Sequence, residues 1–490
     1  MPNAFGAFLG GSYPAQSPTA ALERTINFYP EALATPGAKA PLALFPTPGV
    51  ATFATAATSP VRALWSGNGR CFAVVGHTLY EVASNGALTS RGTVAVDVGT
   101  DPAQIVSNGD GGEQLLVCSG GHAYVYSLTG NTLTDVTVGS PAPLEAVAAQ
   151  IAMLDGYFLV LDRTTSTIYQ SGLYDGLSWD GLAFAQRAAM PDRWVALAVL
   201  NRDLWLLGNE TSEVWYNAGT TPFAFAMHAS GVVPWGCLAP RSVVTAGSTL
   251  LWLARTAQGQ GQVVEASGLS VRVISTPALE HTLAGYATLE DAVACSYDER
   301  GHRFYVLTFP TAGATWVYDQ TTGLWHERGT WDVGTAAYEA WRPMHTCQAF
   351  GKTLIGDREA GVIYHLDATH QTDVGGAVIR RVRRAPMLAD ANTRLFFTRF
   401  ELDLEPGLGI PGGLGEDPTV TLRYSNDGGK TWATAGDRTA DSGAQGQYRT
   451  RVFWLRLGSA RQRVFEVVMS DPAPWRLVGA FLDLRVAEGT

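Results

Sequence analysis

The hydrophobic and polar positions of this chain repeat a short unit: an apolar strand, a turn, and a second strand that ends near an aromatic residue. Successive copies start between 43 and 53 residues apart, a spacing typical of the blades of a β-propeller. Further apolar runs, such as VRALWS at Val61 and WVALAVL at Trp194, are predicted to be the first strands of blades. The seven copies of the unit begin at Arg70, Glu113, Gly156, Arg202, Ser248, Gly301 and Gly351.

The repeat predicts an all-β fold with a propeller over residues 56–375. A four-stranded sheet cannot bury both of its faces alone, whereas radially stacked sheets cover one another. Seven hairpins predict six or seven blades, because one copy is also compatible with a place in a flanking domain. Aromatic residues shared by the copies are predicted to pack between blades rather than to bind a ligand; Val264 breaks this series. They are Tyr80, Tyr126, Tyr169, Trp215, Tyr318 and Tyr364.

The two ends of the chain do not carry the repeat. Residues 1–55 are rich in Pro, Ala and Thr, which predicts an extended arm that crosses the surface of its own or a neighbouring subunit. Residues 376–490 contain longer alternating runs, such as RLFFTRFELDLE at Arg394 and RVFWLRLG at Arg451. Strict alternation indicates half-buried antiparallel strands, so we predict a C-terminal β-sandwich.

The composition of the chain excludes one class of function. The chain has 490 residues, enough for two or three domains, and only 16% of them are charged. Its net charge of −10 excludes a general nucleic-acid binder, which needs a basic surface to displace counterions from phosphates. A local basic patch is still compatible with this charge.

The cysteines and the N-terminus indicate the compartment. Five cysteines are dispersed without a C-x-x-C pair, which predicts reduced, buried thiols and assembly in a cytoplasm. The N-terminus lacks the basic and apolar regions of a signal peptide, and no run of about 18 apolar residues occurs. We therefore predict no membrane insertion.

No catalytic constellation is present in the sequence. The nine histidines form neither H-E-x-x-H nor H-x-H, and G-x-S-x-G is absent. The glycine-rich segments lie in predicted hairpin turns, where a phosphate cradle is not expected. We predict no catalytic residue, no metal and no cofactor.

Four arginines cluster at the boundary between the repeat and the C-terminal region: Arg380, Arg381, Arg383 and Arg384. In a strand, Arg381 and Arg383 would face one way and the other two arginines the opposite way. One interpretation is a contact with phosphate or with an acidic partner. The other is a solvated edge strand that its charges protect against mispairing.

The segment YSNDGGKTW from Tyr424 follows the pattern S-x-D-x-G-x-T-W, carried by Ser425, Asp427, Gly429, Thr431 and Trp432. It resembles the Asp-box, a hairpin turn of sialidases and many other β-proteins that lies away from the catalytic centre. The glycines supply the positive φ angles that a tight turn needs. One box predicts a structural turn, since a sialidase would carry several boxes, an arginine cluster and a tyrosine nucleophile.

Both ends of the chain resemble a known family. RTINFYPEAL from Arg24 and LFPTPGVATF from Leu44 are similar to the opening of the packaged-DNA stabilisation, or tail nozzle and hub, proteins of short-tailed bacteriophages. TLRYSNDGGKTW and the later FLDLRV resemble the end of those proteins in order and spacing. The family order is an N-x-Y-P-E segment, a long β-propeller and an extended-strand domain.

The resemblance implies a virion tail protein that forms a ring, expected to be hexameric, below the portal and its adaptor ring. Such a ring continues the channel for double-stranded DNA, retains the packaged genome, and docks a tail needle or plug and tailspikes or fibres. By position, Asn27, Tyr29, Pro30 and Glu31 are predicted to anchor the arm to a neighbouring subunit, and the four arginines to contact an adaptor or DNA. Deletion of residues 1–40 would then block ring assembly but leave the propeller folded.

Two alternatives stay open at this stage. A sialidase-like or glycan-binding propeller would need arginines that converge on the propeller axis, and the blade hairpins offer mainly Arg70, Arg202 and Arg303. A bacterial scaffold of phage origin without a virion is the other. A fluorogenic glycoside assay tests the first, and portal or terminase genes beside the coding sequence test the second.

Overall fold

The N-terminal region supplies strands to several sheets of the molecule. The computed structural model describes residues 3–35, 39–56, 59–97, 102–138, 144, 148–162, 164–187, 190–255 and 259–486, and of residues 434–438 only the backbone. The N-terminal strands are β1 (Asn3–Ala4), β2 (Tyr13–Pro14), β3 (Leu22–Ile26), β4 (Phe28–Ala32), β5 (Leu42–Pro46) and β6 (Gly49–Thr55).

Seven four-stranded antiparallel blades follow, which confirms the predicted propeller and sets the blade number at seven. The first four blades contain β7 (Val61–Gly67), β8 (Arg70–Val75), β9 (Thr78–Val82) and β10 (Leu88–Thr93); β11 (Gln104–Ser107), β12 (Gln114–Ser119), β13 (His122–Ser127) and β14 (Leu133–Asp135); β15 (Ala148–Leu154), β16 (Tyr157–Asp162), β17 (Thr167–Gly172) and β18 (Asp175–Gln186); and β19 (Trp194–Leu200), β20 (Asp203–Gly208), β21 (Ser212–Asn217) and β22 (Phe225–Val233).

The remaining blades depart from this regular order. The only α-helix among the described residues, α1, separates blades 5 and 6, and β31 extends blade 6. The elements are β23 (Val244–Ala246), β24 (Thr249–Arg255), β25 (Gly261–Ser267) and β26 (Ser270–Val273); α1 (Pro277–Ala284); β27 (Val293–Glu299), β28 (His302–Phe309), β29 (Ala314–Asp319), β30 (Leu324–Asp332) and β31 (Ala337–Ala340); and β32 (Pro343–Ala349), β33 (Lys352–Asp357) and β34 (Val362–Asp367).

Each predicted hairpin is the second and third strand of a blade, and the cores lie between blades. One hydrophobic cluster joins each pair of neighbouring blades, including the last and the first. The ring of Tyr126 in blade 2, for example, packs edge to face on Phe72 of blade 1 at 5.4 Å between centroids. Neighbouring blades thus satisfy one another's apolar faces, as radial stacking requires.

The seventh blade is closed by the N-terminal region. β6 pairs antiparallel with β34, from Val362 opposite Thr55 to Asp367 opposite Gly49. The prediction of an arm over residues 1–55 is corrected here, because Gly49–Thr55 is the outer strand of a blade. The physical reason is that β34 would otherwise leave a row of unpaired backbone groups.

The C-terminal region forms a β-sandwich, as predicted, but the N-terminal strands belong to both of its sheets. One sheet has the order β4-β5-β42-β37-β40 with β1 beside β42; the other is β3-β35-β41-β38-β39 with β2 beside β3 and β36 beside β41. The C-terminal strands are β35 (Arg381–Arg384), β36 (Leu388–Ala389), β37 (Leu395–Leu404), β38 (Thr419–Ser425), β39 (Ala433–Asp441), β40 (Val452–Ala460), β41 (Gln462–Met469) and β42 (Leu477–Val486).

The sandwich core confirms that the N-terminal residues are part of this domain. Phe8, Phe28 and Leu44 are fully buried in one cluster with Phe400 and Phe465 of the C-terminal strands. β3 also reaches the propeller through a parallel bridge from Ile26 to Glu327 in β30. The predicted arm is therefore woven through the joint between the two domains. None of the described helices is long and apolar enough to cross a membrane.

Candidate functional site

The propeller axis holds a cavity with both apolar and polar lining residues. First strands of neighbouring blades lie side by side around it, and they enclose adjoining spaces of about 540 and 430 Å³. The described residues that line these spaces include Ile105, Ile151 and Leu197, and no Arg, Lys, Asp or Glu. His345 lines the smaller of these two spaces. Another space, of about 320 Å³ and beside the first strands of blades 3 and 4, is lined by Asp97 and Arg241.

The blade arginines do not converge on the axis. The Arg70 guanidinium pairs with Glu81 at 2.7 Å, Arg202 with Asp155 at 2.8 Å, and Arg303 with Asp298 at 2.8 Å. Each pair is formed within a blade or between adjacent blades. The sialidase-like interpretation therefore lacks the arginine cluster that it requires.

The Asp-box closes the hairpin between β38 and β39. The Ser425 hydroxyl accepts a hydrogen bond from the Gly429 N–H at 2.8 Å, and the Asp427 carboxylate accepts the N–H groups of Lys430 and Thr431 at 3.0 and 2.9 Å. These bonds, with those of the Ser425 and Thr431 hydroxyls, hold the pKa of Asp427 well below its usual range. The Asp427 carboxylate therefore stabilises the turn.

Asn27 fixes the N-terminal segment to the propeller. Its φ of 58° lies in the left-handed region, which asparagine tolerates better than most residues. Its side-chain amide donates to the carbonyls of Gly329 and Arg380 at 2.9 and 2.8 Å, and its amide oxygen accepts from the Gly329 N–H at 3.1 Å. One buried side chain therefore joins the N-terminal segment, blade 6 and the arginine cluster.

The rest of the N-x-Y-P-E segment packs on blade 6. The Tyr29 ring lies 5.0 Å from His302 and 5.4 Å from Phe304 between centroids, and burial raises the pKa of Tyr29 to about 12. Pro30 is buried, whereas Glu31 is half-exposed and reaches His302 at 3.8 Å. The intersubunit role predicted for these residues and Asn27 stays a prediction, since the contacts described here lie within one chain.

Arg381 and Arg383 are almost completely buried, at 0% and 1% exposure. The Arg383 guanidinium donates to the carbonyls of Phe8, Gly10 and Gly11 at 2.5, 3.2 and 3.0 Å, and Arg381 donates to the Gln371 side chain at 3.0 Å. Burial lowers the pKa of Arg381 to about 9 and that of Arg383 to about 10, so both stay protonated at neutral pH.

This position corrects the edge-strand interpretation of the arginine cluster, whereas the contact predicted for the cluster with an adaptor or DNA stays a prediction. β35 lies between β3 and β41, so it is an interior strand and not a solvated edge. The guanidinium groups of Arg381 and Arg383 are buried, whereas Arg380 and Arg384 are half-exposed. The physical reason is that the carbonyl groups of residues 8–11 need donors, and arginine supplies several in one plane.

Arg380 and Arg384 lie on the opposite side of β35, as strand alternation predicted. The Arg380 guanidinium stacks on the Trp331 ring at 3.9 Å, and that of Arg384 on the Trp432 ring at 4.6 Å. Arg384 also pairs with Glu466 at 2.8 Å. The structure thus brings two separately predicted features, the arginine cluster and the Asp-box tryptophan, into contact.

Sequence reasoning missed the acidic partners of this joint. Glu327 in β30 accepts from the Arg24 guanidinium at 2.9 Å, and Glu466 in β41 lies 3.2 Å from Arg423. Both carboxylates are nearly buried. The available signal was a single acidic residue inside an apolar strand, as in RVFEVVM, because a buried charge requires a partner.

A seven-bladed propeller joined to a β-sandwich, with arginines buried at the joint, defines the class of this protein. Two family models match the chain and agree with this class: the beta-propeller of bacteriophage P22 Gp10 over residues 22–371 and the beta-sandwich of the same protein over residues 380–485. The chain belongs to the family of P22 Gp10, the tail nozzle or stabilisation protein of short-tailed phages. It is a phage structural tail protein, as the resemblance of its two ends predicted.

Solved structures match part of the chain. A streptogramin B lyase is 10% identical, with a TM-score of 0.44, over 65% of this chain and 97% of the lyase. The N-terminal domain of Nup159 is 12% identical, with a TM-score of 0.39, over 74% of this chain and 99% of that domain. Similarity at this level carries no functional argument. No curated protein matches the chain.

Proposed function

We propose that this protein is the subunit of a tail nozzle ring, expected to be a homo-hexamer that binds the portal-adaptor ring and extends its DNA channel. The ring retains packaged double-stranded DNA without sequence specificity and docks a tail needle or plug and tailspikes or fibres. The protein is not an enzyme; it assembles in the cytoplasm of the host bacterium and acts in the virion tail.

The observation that carries this proposal is the joint between the domains. Strands from residues 3–46 belong to both sheets of the sandwich and contact blade 6, and β6 closes the propeller. Buried Asn27, Arg381 and Arg383 fix this weave. A subunit that bears load in a ring needs domains that do not move against each other, and this joint supplies that rigidity.

The charge of the chain supports a channel through which DNA slides. Each phosphate contact adds salt-dependent affinity, so a protein with a net charge of −10 holds DNA by confinement rather than by binding. The arginine cluster acts indirectly in this proposal. Arg380, Arg381, Arg383 and Arg384 shape the subunit, and the N-x-Y-P-E segment keeps its predicted part in assembly through the same joint.

Two surfaces of opposite charge are suited to ring closure, because a ring needs two different surfaces that meet head to tail. The outer face of the sandwich exposes Phe396, Phe453 and Leu455, and the same domain exposes Arg394, Arg456 and Arg461. On blade 3, β18 exposes Leu177 and Leu182 with Asp175 and Asp180. We propose that these two surfaces of neighbouring copies meet.

Negative-stain imaging of the purified chain, alone and mixed with its portal and adaptor, tests the function. The proposal predicts six-fold annuli that stack coaxially on the adaptor. Monomers that ignore the portal complex would contradict it. A fluorogenic glycoside assay runs in parallel, and turnover lost on substitution of Arg70 or Arg202 would favour a glycosidase instead.

A further inference from the structure

Two cysteines meet at the seam where the propeller ring closes. Cys71 lies in β8 of blade 1 and Cys347 in β32 of blade 7, 276 residues apart in the chain, and their Sγ atoms are 3.9 Å apart. Both residues carry free thiols. The seam between the last and the first blade is also held by side-chain packing, in which both residues take part, and by a hydrogen bond from the Ser66 hydroxyl to the Gln348 carbonyl at 2.6 Å.

The contact is suited to thiol–disulfide exchange. The two sulfur atoms lie in van der Waals contact, and a disulfide requires them to approach to a bond length of about 2.05 Å. Cys347 is half-buried and accessible to a small reagent, whereas Cys71 is fully buried behind it. A hydrogen bond from the Cys71 thiol lowers the pKa of Cys347, which favours its thiolate, the reactive form.

We propose that Cys71 and Cys347 form a site of oxidative cross-linking that joins the first and last blades when the protein meets a small-molecule disulfide. The Cys347 thiolate attacks one sulfur of the reagent RSSR, and the first RS⁻ leaves. Cys71 passes its proton to the released RS⁻ and attacks Sγ of Cys347, and the second RS⁻ leaves and takes up a proton from water. The net reaction converts two protein thiols and RSSR into one protein disulfide and two RSH, so two electrons pass to the reagent.

A disulfide at this position would stabilise the propeller. It would close a loop that contains nearly the whole propeller, and the stabilisation from a cross-link grows with the length of the loop that it closes. A reducing cytoplasm keeps the two thiols reduced during synthesis, whereas released particles meet an oxidising medium. The bond would therefore lock the propeller after release from the cell.

The experiment uses the full-length protein, purified with reductant and then incubated with oxidised glutathione. The number of thiols that react in denaturant should fall from the five of the sequence to three, because one disulfide consumes two. Peptide mapping should recover Cys71 linked to Cys347. The midpoint of thermal unfolding should rise by roughly 5 °C, and dithiothreitol should reverse the rise.

The variants Cys71→Ala and Cys347→Ser separate this site from the other thiols. Each should lose the oxidant-dependent rise in midpoint, whereas Cys237→Ala, a buried cysteine outside the seam, should keep it. Five reactive thiols after oxidation, a cross-link between other cysteines, or an unchanged rise in Cys347→Ser would overturn the proposal. The thiol count and the mapping need no variant, so they decide even if a substitution impairs folding.

Discussion

Single side chains decide how the two domains are joined. Arg383 is buried and donates to three carbonyl groups of residues 8–11 and to the Thr25 hydroxyl. The sequence predicted that Arg381 and Arg383 face one side of a strand and that Arg380 and Arg384 face the other, and they do. The burial of Arg383 could not be predicted, because three of its acceptors are backbone carbonyls more than 350 residues away, which carry no side-chain signature.

Arg383→Met should destabilise the sandwich by about 3 kcal/mol or more, because it leaves several buried carbonyl groups without a donor. Guanidinium unfolding followed by tryptophan fluorescence measures the loss. Arg394→Met, at an exposed position of the same domain, is the matched control and should change the free energy of unfolding by less than about 0.5 kcal/mol. Equal effects of the two substitutions would contradict the structural role of Arg383.

His326 should make stability depend on pH. It is fully buried, neither ring nitrogen has a hydrogen-bond partner among the described residues, and burial lowers its pKa to about 3. The unfolded chain binds a proton at this residue near pH 6.5 and the folded chain does not. Its contribution to stability is therefore complete above pH 6.5 and is lost as the pH falls toward 3.

His326→Phe should remove this loss. Between pH 6.5 and 5 the wild-type free energy of unfolding should fall by roughly 2 kcal/mol more than that of the variant. Unfolding curves at the two pH values measure the difference. His281→Gln, on the exposed surface of α1, serves as control and should follow the wild-type profile. A parallel fall in His326→Phe and wild type would refute the assignment.

Local elements were predictable where their partners lie nearby in sequence. Each of the seven hairpins has its turn and its alternation within about 20 residues, and each became the middle pair of a blade. The N-terminal strands were not predictable, since alternation identifies a strand but not its partner. β6 pairs with β34 and β1 with β42, across most of the chain. The Pro- and Ala-rich composition of the N-terminal region also gives no clear strand pattern.

Deletion of residues 1–40 should damage the sandwich as well as assembly. It removes β1–β4 and the buried rings of Phe8 and Phe28, and the loss of each large side chain from a core costs about 3 kcal/mol or more. Limited proteolysis should cut the C-terminal region of the truncated chain while blades 1–7 resist, because β6 is retained. Resistance equal to that of the full-length chain would show that these strands are dispensable.

At the scale of the whole molecule, the two domains of the structure are the propeller and the sandwich that the family models describe. Seven wedge-shaped sheets and a sandwich share one woven joint, so the chain presents its outer surfaces as a rigid body. The likeness of both ends to phage tail proteins led to the correct family. The two surfaces that we propose to meet in a ring could not be predicted from the sequence, because the exposure of a residue is decided only when the chain folds.

Substitution of surface residues can test the proposed contact between neighbouring copies. The double variant Phe453→Ser and Leu455→Ser should leave the unfolding midpoint within about 2 °C of wild type, since the two residues are 41% and 48% exposed and lie outside the core, but abolish annuli in negative stain. Leu414→Ser, 77% exposed in a loop of the same domain, should still form them. Normal rings from the double variant would locate the subunit interface elsewhere.

Native mass spectrometry of the full-length protein tests the ring directly. Across a dilution series, the account predicts a dominant species with six times the mass of one chain, in equilibrium with the single chain at low concentration. A chain that stays monomeric at high concentration, alone and in the presence of its portal-adaptor complex, would contradict the claim that this molecule is a ring subunit.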